Sequence, residues 1–471
     1  MKLTFYGGAK MVTGANYLLQ TTNDKRQTTR ILIDCGLFQG SNYYERLNFE
    51  PFPFDPKQIN AVLITHAHID HIGRLPKLYK DGFRGKIFST KPTKEFAEYL
   101  LIDSMDILNK EAGKKNLSSI YNIDDIQGAM NLWEGIEYHQ KIKIPPAGRG
   151  GLGAEFFDAG HILGSAFIRV SGEGKSVVFS GDLGNVAAPL VKDTENLPEA
   201  DYVLIESTYG NRIHEDVKQR KDILEDTIEE TFKAGGTLII PSFALERSQD
   251  LLYELNNLIE NGKIPRMPIF IDSPLAIRLT EVYKKYSQNP EYLDDEAIKL
   301  AKSGDLVFDF PGLKFTLTTQ QSKEINNVVG PKVIIAGAGM SQGGRILHHE
   351  FRYLSDPKSA ILFIGYQGIG TLGRKIMDGA RAIKKGLSSG FSVKIFGEEI
   401  PARCRVKAIG GYSAHADQTK LLEWLEPMRA KIKKVFIVQG EGDQMVPFAQ
   451  KIRDEFAIEA IIPSTNDEVM L

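Results

Sequence analysis

The sequence predicts an α/β protein in which one domain is interrupted by an inserted domain built on a parallel sheet. Short apolar runs that end in a polar residue recur near both ends of the chain and are typical of buried strands. Between them, strands, glycine-rich turns and amphipathic helices alternate, which is typical of a parallel sheet covered by helices. The length of 471 residues suits this arrangement. We therefore predict that residues 1–208 and 391–471 form the first domain and that residues 209–390 form the inserted one.

Each predicted strand of the first segment is followed at once by a side chain capable of acid–base or metal chemistry. The runs are short, rich in valine, isoleucine and phenylalanine, and bounded by glycine or aspartate: RILIDCG, AVLITHAH, AEFFDAGH, VVFSGDLG and YVLIESTYG. The side chains that follow them are Asp34, a histidine cluster, His161, Asp182 and Glu206. Their placement predicts one site along one edge of the sheets. Asp34 is either a carboxylate that orients a ligand histidine or only a turn former.

The stretch ITHAHIDHIG, residues 64–73, holds three of the nine histidines of the chain. Side chains at i and i+2 of an extended loop reach the same side, so His66 and His68 can share one ion. Asp70 and His71 follow and are placed for a second ion. Zinc accepts imidazole nitrogen and carboxylate oxygen, and an aspartate can bridge two metals about 3.5–4 Å apart. A solvated loop is the alternative for a lone histidine, but this spacing at a strand end favours a metal centre, with further ligands at His161 and Asp182.

Composition and charge exclude several classes of protein. The net charge of −2 does not by itself indicate a nucleic-acid or membrane partner. Two cysteines, Cys35 and Cys404, are too few for a disulfide framework or a cysteine-built zinc site, which fits a reducing cytosol. The N-terminus MKLTFYGGAK lacks the apolar stretch of a signal peptide, and no apolar run approaches about 18 residues. We expect a cytoplasmic protein without a membrane partner.

The motifs THAHIDHIG, AGHILGSA and FSGDLG, together with Asp34 at a strand end, resemble the metallo-β-lactamase superfamily. Further motifs resemble its β-CASP branch, which includes the cleavage and polyadenylation specificity factor endonuclease and its bacterial and archaeal relatives: ESTYG, PSFALERSQ, DSPLA, GMSQGGRILHH, GYQGIGTLGR and YSAHAD. The resemblance spans nearly the whole chain. It implies an αββα sandwich with an inserted α/β β-CASP domain, two Zn²⁺ ions and hydrolysis of RNA phosphodiester bonds.

The resemblance also implies roles for individual residues. The first zinc would be held by His66, His68 and His161, and the second by Asp70 and His71, with Asp182 as the bridge. His415 matches a histidine that acts near the leaving group, and Glu206 is placed to orient it. One position departs from the family. Relatives read Val-His-Gly-Glu where this chain reads VQGE, so that Gln439 replaces the last ligand of the second zinc.

RNA binding cannot come from bulk charge, because residues 209–390 contain 24 Lys and Arg against 23 Asp and Glu. RNA could instead be bound by local anion sites in this domain. Each strand–helix unit aims a helix N-terminus at the carboxyl edge of the sheet, where free N–H groups can bind anions. Each arginine near these helix N-termini is either a contact for phosphate or an ordinary solvated surface residue. The candidate RNA contacts are Arg247, Ser273, Arg345 and Arg374.

We predict a metal-dependent hydrolase, specifically a zinc-dependent ribonuclease, whose partner is RNA and which can form a homodimer. The residues expected to carry the chemistry are Asp70, Asp182, Glu206 and His415. The alternative is a partly degenerate RNA-binding subunit with weak or no nuclease activity, because Gln439 replaces a ligand. A lactamase or thioester hydrolase would explain the metal loop but not the inserted domain. The sequence leaves endonuclease and exonuclease both open.

Overall fold

The computed structural model describes residues 1–22, 26–40, 42–114, 116–144, 151–185, 188–214, 217–303, 307–368, 370–409 and 413–471. The chain divides into two compact units. The first unit comprises Met1–Ile213 and Ala414–Leu471, and the second comprises His214–Ser413. Helices and strands are numbered below in chain order.

Two mixed sheets form the centre of the first unit. Within the described residues, one has the strand order β22-β1-β2-β3-β4-β5-β6. Its strands are β1 (Lys2–Gly7), β2 (Asn16–Thr22), β3 (Thr28–Ile33), β4 (Ala61–Leu63), β5 (Lys86–Thr90), β6 (Trp133–Ile136) and β22 (Glu468–Met470). The other has the order β21-β20-β11-β10-β9-β8-β7. Its strands are β7 (Ile142–Lys143), β8 (Gly153–Asp158), β9 (Ala166–Gly172), β10 (Lys175–Phe179), β11 (Tyr202–Glu206), β20 (Lys434–Val438) and β21 (Glu459–Ile461).

Helices cover the outer faces of these sheets. They are α1 (Asn42–Arg46), α2 (Ile69–Ile72), α3 (Leu75–Lys80), α4 (Lys91–Lys114), α5 (Ile123–Leu132), α13 (Gln418–Leu425) and α14 (Gly442–Phe456), with 3₁₀ turns at Pro56–Gln58 and Glu426–Met428. Apolar side chains of α4 and α5 pack with those of β3 and β4, and apolar side chains of α13 and α14 pack with those of β11 and β20. Aromatic pairs join the two sheets, since Phe5 lies 5.6 Å from Phe436 and Tyr17 lies 6.3 Å from Phe179 between ring centroids. The layers are helix, sheet, sheet and helix, as predicted.

The second unit is built on a parallel sheet. Its order within the described residues is β14-β13-β15-β12-β16-β19, and each neighbouring pair is parallel. The strands are β12 (Thr237–Pro241), β13 (Ile269–Asp272), β14 (Leu313–Phe315), β15 (Lys332–Ala336), β16 (Ala360–Phe363) and β19 (Arg405–Ala408), and a separate hairpin joins β17 (Ser392–Ile395) to β18 (Glu398–Pro401). The helices are α6 (Val217–Ala234), α7 (Arg247–Glu260), α8 (Pro274–Tyr286), α9 (Asp295–Lys302), α10 (Thr319–Glu324), α11 (Ile346–Tyr353) and α12 (Leu372–Lys384), with a 3₁₀ turn at Ile325–Asn327.

The second unit runs to Ser413, whereas the sequence prediction ended the inserted domain at residue 390. The physical reason is the pairing of β19, which adds to the edge of the second unit's sheet with Val406 opposite Ile361. The β17–β18 hairpin also places Val393 in this unit's core. A short strand followed by a polar loop occurs in both units, so this pattern does not tell one sheet from another.

Among the described residues, none of the helices combines the length and the apolar character that crossing a bilayer requires.

Candidate metal centre

The histidine loop, residues 64–73, lies directly after β4 in the first unit. Hydrogen bonds from the main chain of neighbouring loops fix its backbone. Cys35 donates its N–H to the carbonyl of His71 at 2.8 Å, and Ala15 donates to the carbonyl of Asp70 at 3.0 Å. A Cβ added to Gly36 would lie 1.5 Å from the Asp70 carbonyl oxygen, so only glycine permits this contact. The loop after β3 therefore holds the histidine loop in place through its main chain.

Four predicted ligands converge in the first unit. The ligand atoms of His66, His68, His161 and Asp182 lie within 4.8 Å of one another. Nδ1 of His68 is 3.0 Å from Nε2 of His66 and 3.2 Å from Nε2 of His161. The carboxylate oxygen Oδ2 of Asp182 is 3.4 Å from Nε2 of His66 and 3.6 Å from Nε2 of His161. All but His68 are fully buried.

These distances fit a four-coordinate cation. Zinc bonds of about 2.0–2.1 Å in a tetrahedron separate neighbouring ligand atoms by roughly 3.3–3.4 Å, close to the spacing of this cluster. A neutral imidazole carries one N–H, so hydrogen bonds can join some of these nitrogens, but a single cation contacts all four ligand atoms of the cluster at once. The donor set therefore suits a metal ion.

The electrostatics of the cluster match its geometry. Burial lowers the pKa of His68 and His161 well below the usual range, and neighbouring imidazoles lower it further. Burial alone would raise the pKa of Asp182, but His71 and His66 hold it well below its usual range. Neutral imidazoles beside an ionised carboxylate are the protonation states that metal binding requires.

A second group of side chains surrounds His71. Its Nδ1 lies 2.8 Å from Oδ2 of Asp34, and its Nε2 lies 3.3 Å from Oδ1 of Asp182 and 4.0 Å from Oδ2 of Asp70. Burial would lower the pKa of His71, but Asp182 and Asp34 raise it well above its usual range. The two oxygens of Asp182 thus point to different groups of ligands, which is the arrangement of a bridging carboxylate.

Gln439 lies inside this second group. Its side-chain amide nitrogen donates to Oδ1 of Asp182 at 2.5 Å and lies 3.2 Å from Nε2 of His71. Its amide oxygen lies 3.5 Å from the hydroxyl of Tyr17, which donates to it. The amide N–H groups therefore face the two groups that a second metal would contact, while the oxygen, the only possible ligand atom of the side chain, points away.

Glu206 and His415 form a pair next to Asp182. Nδ1 of His415 lies 3.2 and 3.1 Å from the two carboxylate oxygens of Glu206, and Oε1 of Glu206 also accepts the N–H of Leu183 at 2.7 Å. Burial would lower the pKa of His415, but Glu206 and Asp182 raise it to about 9. The carboxylate of Glu206 is fully buried and fixes the orientation of the imidazole.

Sequence reasoning missed Thr65 and Tyr17. The carboxylate of Asp34 accepts the N–H of Thr65 at 2.8 Å and its hydroxyl at 2.9 Å, while also contacting His71. Of the two interpretations of Asp34, the structure shows the carboxylate that orients a histidine. Thr65 precedes the first histidine of the motif, which was the available signal. Tyr17 carried no signal, because its contact with Gln439 spans 422 positions.

The predicted RNA contacts lie in the second unit, and each already has a partner within it. Arg247 pairs with Glu246 and Asp250, each at 3.1 Å, and only 11% of its side chain is exposed. Arg345 donates to Asp272 at 2.7 Å and to two main-chain carbonyls. Ser273 caps α8 by accepting the N–H of Ala276, and Arg374 pairs with Asp378 at 2.8 Å. Their contact with RNA stays a prediction.

Comparison with known proteins finds three family domains along the chain. A metallo-β-lactamase superfamily domain matches residues 24–186, a Beta-Casp domain matches residues 248–376, and a Zn-dependent metallo-hydrolase RNA specificity domain matches residues 399–463. Ribonuclease TTHA0252 of Thermus thermophilus is 38% identical over 95% of this chain and 94% of its own length. The chain belongs to the β-CASP branch of the metallo-β-lactamase superfamily.

Other relatives of this β-CASP protein carry different names. An RNase J-like protein of Methanocaldococcus jannaschii is 32% identical over 98% of the chain and 97% of its own length. The transcription termination factor FttA of Methanosarcina mazei is 31% identical over 98% of the chain and 70% of its own length. The predicted family and fold are confirmed, and so is the expectation of a metal-dependent hydrolase at the level of the family.

We predict that His161→Ala and Asp182→Ala each remove the metal that the wild-type protein retains after desalting, because each deletes a ligand atom from a buried four-membered cluster. Elemental analysis of folded protein measures this. His139→Ala is the control, since 54% of that side chain is exposed and its ion-pair partner Glu195 is not one of the cluster residues. Folded wild-type protein without any transition metal would contradict the assignment.

Proposed function

We propose that this β-CASP protein is a zinc-dependent ribonuclease that hydrolyses RNA phosphodiester bonds, with two metal sites of unequal strength. The observation that carries the proposal is the buried carboxylate of Asp182, whose two oxygens point to two groups of ligands. RNA as substrate is supported by the match to an RNA specificity domain over residues 399–463 and by the names of the relatives. Zinc is supported by three imidazoles and one carboxylate at tetrahedral spacing.

The second site is the weaker one in this proposal. An imidazole is a good zinc ligand, whereas an amide offers only an oxygen, which is a harder and weaker donor. In Gln439 that oxygen is turned toward Tyr17, and the amide N–H groups occupy the side that faces Asp182 and His71. A second metal would have to rotate this amide and break its hydrogen bond to Asp182. The ligands that remain are Asp70, His71 and Asp182.

Bound zinc supplies a Lewis acid that ionises water near neutral pH and stabilises charge on a phosphate oxygen. The residues of the chain do the rest. His66, His68, His161 and Asp182 would hold the ion. His415 is the general acid: while Nδ1 donates to Glu206, Nε2 is the atom that can carry the transferable proton. Glu206 keeps the ring in this tautomer and stabilises its charged form.

The second candidate function is an RNA-binding subunit with weak or no nuclease activity. Gln439 favours it, because the amide satisfies Asp182 in place of a cation. The Glu206–His415 pair favours the enzyme, since a subunit without chemistry has no use for an imidazole held beside the metal ligands. Metal content measured together with RNA cleavage separates the two functions.

We predict that His415→Ala slows RNA cleavage by roughly 10²- to 10⁴-fold, the usual contribution of a positioned general acid. Metal content should stay close to the wild-type value, because His415 is oriented by Glu206 and lies 3.8 Å from Asp182. Single-turnover cleavage of labelled RNA and elemental analysis of the same preparation measure both. If metal is lost as completely as in a variant without His161, then His415 is a ligand and its assigned role is wrong.

We predict that Gln439→His raises both the occupancy of the second metal and the cleavage rate. Loss of a group that supports a metal ligand typically costs about 10- to 100-fold in affinity, and loss of a ligand costs at least as much. Gln439→Leu is the matched control, because it removes the amide without adding a ligand and should not raise occupancy. If wild-type protein binds two metals with equal affinity and the histidine variant is no faster, Gln439 does not weaken this site.

A further inference from the structure

Two aromatic side chains of the second unit lie at the carboxyl edge of its parallel sheet and face solvent. Phe243 follows β12 and is 42% exposed, and Tyr366 follows β16 and is 49% exposed. Half-exposed rings are not needed for the core of this unit, which is formed by other side chains. Single exposed apolar residues are normal on any protein, but two rings at the ends of neighbouring strands form a local feature. We call Phe243 and Tyr366 the aromatic pair.

The strand register brings the loops that carry the two rings next to each other. β12 and β16 are parallel neighbours with Ile239 opposite Ile361. The same offset continued for four residues brings Phe243 to Gly365, the residue before Tyr366. A Cβ added to Gly365 would lie 3.8 Å from Cε2 of Phe243, which confirms that the loops meet. A Cβ added to Gly339 would lie 2.7 Å from Cδ2 of Phe243, so glycine allows this ring to lie flat against the loop after β15.

A buried side chain fixes the loops that carry the pair. Gln367 is 3% exposed, and its amide nitrogen donates to the carbonyl of Gly339 at 2.9 Å and to that of Gly365 at 3.2 Å. The carbonyl of Phe243 accepts hydroxyl hydrogens from Ser242 at 3.1 Å and from Ser248 at 2.8 Å. Both rings therefore extend from loops held by internal hydrogen bonds, so binding would order little additional backbone.

Arginines near the aromatic pair are candidates for contacting phosphates. Four segments at this edge, made of loops and first helical turns, contain four arginines and one glutamate: residues 242–247, 273–278, 337–345 and 364–374. That glutamate, Glu246, is buried and paired with Arg247. The acid that ends β13, Asp272, is also buried and is bonded to Arg345 and His349. Arg374 is paired with Asp378, just beyond the last segment. This edge is therefore close to neutral, like the unit as a whole, and its arginines can contact phosphates only individually.

We propose that the aromatic pair stacks against bases of single-stranded RNA. The inference rests on the proposed function and names how that substrate is held: exposed rings accept any base by stacking, while individual arginines of the adjoining loops contact phosphates. A protein partner would also use exposed aromatic rings, but the glycine-lined edge, with arginines that can contact phosphates, favours a flat, negatively charged ligand. Stacking explains how a chain without a basic excess can hold RNA.

The test measures RNA affinity in full-length protein carrying His415→Ala, so that the RNA stays intact. The probe is a labelled ten-nucleotide oligoadenylate, with an abasic ribose-phosphate strand of the same length for comparison. We expect Phe243→Ala and Tyr366→Ala each to weaken oligoadenylate binding by about 5- to 30-fold, within the range for one stacked base. Binding of the abasic strand should be unchanged. Phe243→Trp and Tyr366→Phe should restore affinity.

Leu387→Ala is the matched control, since this side chain is 77% exposed in the same unit and should not affect binding. The aromatic pair is not the binding site if both alanine variants bind oligoadenylate within twofold of the parent, or if they lose affinity for the abasic strand equally. If either result is found while protein with wild-type His415 still cleaves RNA, the stacking inference fails and the proposed function stands. A parent protein that binds no RNA overturns both.

Discussion

The structure of the first unit depends on one unfavourable feature, the burial of the Asp182 carboxylate beside His66, His71 and His161. An isolated buried charge is costly, and it persists only when it is paired, hydrogen-bonded or bound to a metal. Burial keeps the imidazoles of His68 and His161 neutral, so the charge is offset from the other side, by His71 and by the amide of Gln439. Among the described residues, the oxygen of Asp182 that faces His66 and His161 has only imidazole nitrogens opposite it, and a cation suits that position. The ends of β4, β8 and β10 converge at this cluster.

Backbone geometry, more than side-chain choice, brings these strand ends together. Asp34 and Gln439 both have positive φ, 60° and 51°, which is uncommon outside glycine and concentrates at functional sites. Glycine permits close contacts where loops cross. A Cβ on Gly184 would lie 1.9 Å from the Gly160 carbonyl oxygen, so glycine is required there as it is at Gly36. Strain and close packing hold the ligands before a metal binds, and this lowers the cost of ordering them when it does.

The sequence was sufficient for the layered fold, which its family motifs implied, and strand ends followed by acids and histidines indicated one site along one edge of the sheets. It could not show which sheet a short strand joins, so β19 was assigned to the wrong unit. Nor could it show that Arg247 and Arg345 are bonded to buried carboxylates, since these contacts form only after folding. The departure from the family at Gln439 was visible in the sequence. The orientation of its amide was not, because it depends on the contacts with Tyr17 and Asp182.

Thermal unfolding of chelator-treated protein during a Zn²⁺ titration tests the central claim most directly. A ligand that binds only the folded state raises the Tm in proportion to the logarithm of its concentration above Kd. We expect the unfolding transition to shift to that of the zinc-bound form as one zinc per chain is added, and its Tm then to keep rising with the logarithm of free Zn²⁺, with no such rise for Asp182→Asn. A Tm that does not respond to Zn²⁺, or that responds equally in Asp182→Asn, would contradict a cation centred on this carboxylate.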